Sequence, residues 1–424
     1  MLDPDPSSGR LKNFEQCPLI VESLSGRRLM QSVIIVSFFL ILSSAVTNAL
    51  RPLYFVEVGA TPMQLGLLMA VPSLVSLLTR VPVSILANRL GRWRMMFFSI
   101  SLSVVTTSLF AFVRDPVLFI PLVGVAALSW AVYSPIAVEY VSNQSTAATR
   151  GGTMGIYFTS IAAALFIGPL LASMLTVFLS LRQLFLFSVL FPVSSFVVFL
   201  AMTRSSDLDG SGKAGGESEK APSVGGSLSR ILRNRNFAAM CVARIAFSLS
   251  MGVFSTVYPV FASEGLGLTA SAISLLFTFR GVTNMIIRIP AGRLSDRVGR
   301  RKPFIIAYAV VITAFALLAY AESYGLLVIV MAFFGLGWGM RIAPSMALVS
   351  ESVGDEDRTL ALSVFMTMFD FGSMIGSLMV GFTGAFLSPR MLLLICAPIM
   401  AVALGVVLLF SNEMKLQAPG AVVV

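Results

Sequence analysis

The sequence predicts an all-α membrane protein: about twelve transmembrane helices in two six-helix bundles related by an internal repeat. Three observations lead there. The 424-residue chain is 57% hydrophobic and 12% charged, with a mean hydropathy of +0.90, against roughly 25% charged residues in soluble domains. Many of its apolar runs reach about 20 residues, the length that a 1.5 Å rise needs to cross a ~30 Å hydrocarbon core. Scarce residues also recur 208 positions apart: Arg80, Pro82, Leu86, Arg89, Gly91 and Arg92 match Arg288, Pro290, Leu294, Arg297, Gly299 and Arg300. Trp130, Arg150, Gly168 and Arg182 match Trp338, Arg358, Gly376 and Arg390 in the same register.

Taken in order, helices α1 to α6 are expected at 31–56, 62–87, 94–113, 116–141, 151–178 and 181–202, and α7 to α12 at 237–262, 268–292, 303–322, 325–350, 359–387 and 390–411. Barrel strands would alternate apolar and polar over about 10 residues, and these runs do not. The first 30 residues mix acids and bases without an apolar core, so α1 is expected to be an uncleaved span rather than a removed signal. Between α6 and α7, Ser205 to Ser229 is rich in Gly, Ser, Glu and Lys, and cannot bury a core. It reads as a flexible tether between two bundles that move relative to each other. The domains expected are a tail at 1–30, a bundle at 31–202, a linker at 203–236, a bundle at 237–411 and a tail at 412–424.

A net charge of +10 would suit nucleic acid, so its location matters. Of the 30 Lys and Arg residues, 21 fall in the tails, the linker and the loops after α2, α4, α8 and α10, whereas the opposite loops hold only Arg114, Arg182 and Arg390. The positive-inside rule then puts both termini and the linker in the cytoplasm. The charge reports topology, and no nucleic-acid partner is expected. Cys17, Cys241 and Cys396 are too scattered for a disulfide framework or a metal site, and histidine is absent, so neither a cofactor nor a bound metal is expected.

The stretch Gly292-Arg-Leu-Ser-Asp296-Arg297-Val-Gly299-Arg300-Arg301-Lys302 resembles the signature loop of the major facilitator superfamily, and the span count, linker position and repeat extend that resemblance over roughly residues 31–411. The resemblance implies a gating loop at the cytoplasmic ends of the bundles that helps hold the outward-facing state. Its residues here would be Arg89, Gly91 and Arg92 in the first half and Gly292, Asp296, Arg297, Gly299 and Arg300 in the second. Gly would allow close helix approach and a tight turn, and the Arg cluster would meet anionic lipid; the cluster can equally be topological alone. The first copy departs from the pattern, with Ser84 and Asn88 where the family has Gly and Asp. A weaker resemblance lies in α5, where Ala164 to Ser173 around Gly168 and Pro169 is similar to a drug/proton antiporter signature. The arginine that those proteins carry within α4 has no counterpart here.

Charges inside the spans are the remaining signal, because each costs roughly 2.5–3.5 kcal/mol at a helix centre. The 1.5 Å rise puts Arg280 of α8, Arg341 of α10 and Asp370 of α11 near one central level. Facing lipid, the three together would be disfavoured by roughly 8–10 kcal/mol, so they are expected to face water, solute or each other. In α1, Ser44, Thr47, Asn48 and Arg51 share a face by their spacing. The candidate substrate-binding or coupling residues are therefore Asn48, Arg51, Arg280, Arg341 and Asp370. With no histidine, proton coupling would use Asp370, or Glu57 and Glu139 nearer the ends. Arg80 and Arg288 are expected to snorkel or pair with Glu139 and Glu351.

Two hydrophobic copies joined by a polar linker is how many secondary transporters are built, with the site at the seam. The expected function is movement of a small solute by alternating access, as proton-coupled efflux from a monomer in the plasma membrane. Uptake of a small organic anion is the alternative within that class, and a non-transporting membrane receptor the alternative outside it. No enzyme motif or nucleotide loop is present to suggest catalysis.

Overall fold

The computed structural model describes residues 18–143, 150–202 and 224–410. Among these, twelve helices are long and apolar enough to cross a membrane. The first half contains α1 (Pro18–Asn48, continued by the short helix Arg51–Glu57), α2 (Pro62–Leu90), α3 (Arg92–Phe110), α4 (Pro116–Asn143), α5 (Arg150–Leu175) and α6 (Leu181–Ser188 and Leu190–Met202). The second contains α7 (Arg235–Val260, with a π-helical turn at Phe261–Gly265), α8 (Ala270–Val298), α9 (Arg301–Tyr320), α10 (Tyr324–Glu351), α11 (Arg358–Thr383) and α12 (Pro389–Phe410). The break in α1 falls just before Pro52, which lacks the N–H that would continue the helix.

The turns repeat as faithfully as the spans. Thr61 and Thr269 cap α2 and α8 by accepting from the backbone N–H of Gln64 and Ala272. Asp115 and Ser323 cap the starts of α4 and α10, and Ser180 and Ser388 those of α6 and α12. All three pairs stand 208 residues apart. So do the four positive-φ glycines among the described residues, Gly59 with Gly267 and Gly91 with Gly299. Gly91 (φ 88°, ψ 143°) and Gly299 (φ 88°, ψ 158°) occupy a region essentially restricted to glycine. The loop motif therefore needs Gly299 for its turn. At Gly292 no close approach requires glycine, because a Cβ there would meet only Ala343, at an ordinary 4.0 Å.

Within each half the repeat glycines seat one span on another. A Cβ at Gly168 of α5 would overlap Ala45 of α1, and one at Gly376 of α11 would overlap Leu249 of α7. Gly168 of α5 is thus explained by packing inside the first bundle, whereas Ser173 of the same stretch meets Ser271 of the second half.

Residues 203–223 of the linker lie outside the described residues, as do the side chains of Arg80, Ser84, Asn88 and Arg150. The end of the expected tether is ordered: Val224–Arg233 forms a helix rather than coil. Its Arg230 pairs with Asp357 at 2.8 Å and Glu356 at 3.0 Å in the α10–α11 loop. Asn234 then caps α7 and donates to the Ser352 carbonyl at 2.6 Å. The linker helix is thereby tied to the second half.

The halves meet through α2 against α11 and α5 against α8. At the end opposite the linker this seam is shut. A Cβ at Gly66 would lie 2.5 Å from the Gly381 backbone and 2.6 Å from the Ser377 carbonyl. Ser271 donates to the Ser173 carbonyl at 2.7 Å across α8 and α5.

Candidate functional site

Among the described residues, a cavity of about 560 Å³ occupies the interior of the first bundle and is reached from the second half by a single side chain, Asp370. Phe110 and Phe185 line it, stacked with ring centroids 5.8 Å apart, and Tyr54 stacks on Phe185 at 4.5 Å. These rings come from the ends of α3 and α6 and the α1 continuation, so they floor the cavity at the end away from the linker. Arg51 stands among them. Its Nε is buried and has no hydrogen-bond partner.

The remaining lining is rich in hydroxyls. Several are committed to their own helices: Thr47 donates to the Ser44 carbonyl at 3.2 Å, Thr106 to that of Leu102 at 2.8 Å and Ser188 to that of Phe185 at 2.7 Å. Serine and threonine in membrane helices commonly bond back this way. Ser44, Ser73, Ser103 and Thr107 line the cavity with no protein partner and remain free to bind a solute. Ser76 donates to Asp370 Oδ2 at 3.3 Å, a bond that joins α2 to α11 across the seam.

The expected site residues do not converge on one point. Arg51 and Asp370 line the cavity. Asn48 is exposed and is not among the lining residues, although its spacing puts it on the same face as Ser44; it is the last residue of α1 before the break. Arg280 stacks its guanidinium over Phe277 at 4.5 Å, Trp338 at 5.1 Å and Phe254 at 5.4 Å, within the second bundle. Arg341 is 1% exposed and lies over Phe247 at 3.8 Å, with Nε and Nη2 unpartnered. Trp130 lines the cavity, whereas Tyr133 is buried with its hydroxyl 2.9 Å from that of Ser37.

Arg244 was not among the expected site residues, yet it belongs with this group. It is buried between Phe369 at 4.7 Å and Phe365 at 5.0 Å, both on α11. It lies in electrostatic range of Arg341 and of Asp370. Counting from the helix ends shows why: Arg244 is 9 residues into α7 and Arg341 is 10 residues before the end of α10, so both sit about 14–15 Å above the linker-side ends. A desolvated cation–π contact contributes about 2 kcal/mol, which offsets much but not all of the roughly 2.5–3.5 kcal/mol cost of each intramembrane charge.

The gating-loop residues are at the linker-side surface. Arg300 donates to Asp296 and, at 3.2 Å, to Glu351 of α10. The Asp296 hydrogen bond first, and Glu351 after it, hold the Arg300 guanidinium above the ordinary arginine range. In the first half Arg92 donates to Glu139 of α4 at 2.6 Å. The acids at the inner ends of α4 and α10 therefore pair with the loop arginines Arg92 and Arg300. Arg288 instead donates to Asn284 at 2.8 Å, one turn back on α8. Arg89 and Arg297 are exposed.

Comparison with known proteins agrees with this architecture. The sequence model of the Major Facilitator Superfamily matches residues 33–251 and 240–422. An uncharacterised MFS-type transporter of Methanocaldococcus jannaschii is 19% identical over 82% of this chain and 89% of its own length. A probable vesicular acetylcholine transporter of Danio rerio is 24% identical over 47% of this chain, a match that spans 44% of that relative. The nucleoside transporter NupG superimposes with a TM-score of 0.73 at 15% identity, covering 91% of this chain and 99% of its own. A bacterial homologue of the human lysosomal transporter Spinster, inward-facing and occupied, gives 0.74 at 12% identity over 90% and 96%. The chain belongs to the major facilitator superfamily, and its function is membrane transport by alternating access.

Proposed function

We propose that this chain is a proton-coupled transporter for a small anionic solute with several hydrogen-bonding groups, acting as a monomer in the plasma membrane with both termini cytoplasmic. One observation carries the cargo assignment: Arg51, with a buried and unpartnered Nε, stands at the floor of a cavity that offers four uncommitted hydroxyls. A greasy cation would leave that guanidinium uncompensated. Arg280 and Arg341 add positive potential from the second bundle without lining the cavity, and Asn48 has no part in this reading. Asp370, the carboxylate at the seam, is the group we assign to the coupling proton. The signature loop, Arg89 to Arg92 and Gly292 to Arg300, serves the gate on the linker side.

Efflux in exchange for protons rests on the resemblance of α5 around Gly168. Proton-linked uptake of a small organic anion is the second reading, favoured by the uncompensated charge of Arg51. Vesicle gradients separate them: interior-acid proteoliposomes accumulate cargo under exchange, interior-alkaline ones under co-transport. Indifference to both gradients would remove proton coupling.

The cargo itself is found by thermal stabilisation of purified protein with a panel of organic anions and neutral analogues, since a ligand of the folded state raises the midpoint. Arg51→Gln should weaken binding of the hit roughly ten- to a hundredfold, the weight of a charged hydrogen bond, and Arg51→Lys should keep part of it. A folded Arg51→Gln protein that binds normally would sink the cargo assignment. Asp370→Asn should abolish gradient-driven accumulation while exchange of cargo for cargo continues.

A further inference from the structure

The second bundle holds an arrangement that the cargo cavity does not use. Arg244 and Arg341 are 8% and 1% exposed, at one depth, and each lies in the other's field. Three of their N–H groups, Arg244 Nε, Arg341 Nε and Arg341 Nη2, are buried without any acceptor. The charges at this level do not balance either: among the described residues, Asp370 is the carboxylate in range of Arg244, and it also accepts from Ser76 of the other half.

We propose that Arg244 and Arg341 bind a small monovalent inorganic anion of the chloride class inside the second bundle. Buried donors without acceptors are what such an ion would satisfy. The surroundings select its type. Phe247, Tyr308, Phe365 and Phe369 wall the two guanidiniums with ring faces, and a strongly hydrated dianion such as sulfate could not be desolvated there. The hydroxyls nearby are committed to backbone, Tyr308 donating to the Ala243 carbonyl, Ser248 to that of Arg244 and Ser345 to that of Ile342, so a compact ion held by the guanidiniums alone fits better than a carboxylate-bearing organic solute does. The bound ion would balance the second guanidinium. The site is separate from the cargo cavity, whose lining includes neither arginine.

The test uses the purified full chain in gluconate buffer at constant ionic strength. Chloride, bromide or nitrate should raise the unfolding midpoint saturably, and sulfate should not. Equal responses to chloride, gluconate and sulfate would overturn the site. Arg244→Lys and Arg341→Lys, which keep the charge but lose the fork, should each raise the half-saturating chloride concentration at least about tenfold; wild-type values in both would overturn it. Arg51→Gln must leave the chloride response intact, and its loss there would put the anion in the cargo cavity instead. Should the arginine variants fail to fold, chloride-35 line broadening on the wild-type protein decides, with competition by bromide but not sulfate expected and no broadening counting against the site.

Discussion

Substituting Gly66 by alanine should push the transporter out of the conformation described here. The added Cβ would lie 2.5 Å from both Cα and N of Gly381 and 2.6 Å from the Ser377 carbonyl oxygen. Ordinary contact begins near 3.4 Å, so three backbone atoms of α11 must each retreat by roughly 0.8–0.9 Å. Overpacking of this kind costs about 1–3 kcal/mol. The clash lies between the bundles and not within either, so separating α2 from α11 relieves it without unfolding anything. The population ratio should then shift toward the state open at the end opposite the linker, by roughly 5- to 150-fold. Spin labels at Phe178 and Phe386, both 87% exposed and on equivalent loops, report the width of that end. Cys241 and Cys396 are buried and would be replaced together with Cys17. Electron–electron resonance should show a longer distance growing at the expense of the short one, and turnover should slow. Gly155→Ala, with nothing within 4 Å of its new Cβ, is the control. Unchanged distances together with wild-type turnover in Gly66→Ala would refute the reasoning.

Three further outcomes are expected. Protease added outside intact cells should leave the 205–229 segment uncut, because 21 of the 30 basic residues lie on its side; cleavage there would reverse the topology. Asp296→Asn should leave Arg300 with Glu351 alone and slow turnover; both pairs form within the second half while the opposite end is shut, so a shift of spin-label distances at the linker side toward the open state would show a further contact of Asp296 in the closed state, and wild-type distances and rate would reduce the motif to a topological cluster. Gly299→Ala should lower stability by about 1–3 kcal/mol, the cost of a non-glycine residue in that backbone region, seen as a lower unfolding midpoint, and Gly91→Ala should behave alike. Equal midpoints would mean that the turn can be rebuilt.

The large architecture was legible because its signals are expensive. A charge or a long polar stretch is excluded from lipid at several kcal/mol, so spans and linker stand out from composition alone, and Arg or Trp at a fixed offset marks the repeat. The cargo cavity was only half visible. Arg51 and Asp370 carry charge and were picked out, whereas Ser73, Ser103 and Thr107 were not. A hydroxyl on a membrane helix can satisfy itself on its own backbone, so whether it is free is decided by packing that no spacing rule reports. Asn48 and Arg244 illustrate the same limit from both sides. One shares a helical pattern with Arg51 but is the last residue of α1 and lies outside the lining; the other is at the depth of Arg341 once the helix ends are known. In the second half Arg288 and Arg300, twelve residues apart, compete for Glu351, and distance in space chose the loop member.

The one-sided cavity implies a division of labour that evolution and engineering can both exploit. Every residue lining the cavity other than Asp370 lies between residues 40 and 188, whereas Asp370, Arg244 and Arg341 belong to the other half. Drift in the first half would retune what is carried while leaving the drive intact. A chimera that keeps residues 224–410 and exchanges the first bundle for that of a relative should inherit the donor's selectivity, provided α2 and α5 retain their small residues at the seam. Libraries confined to Ser44, Ser73, Ser103 and Thr107 would search cargo preference directly, with Arg51 kept as the anchor.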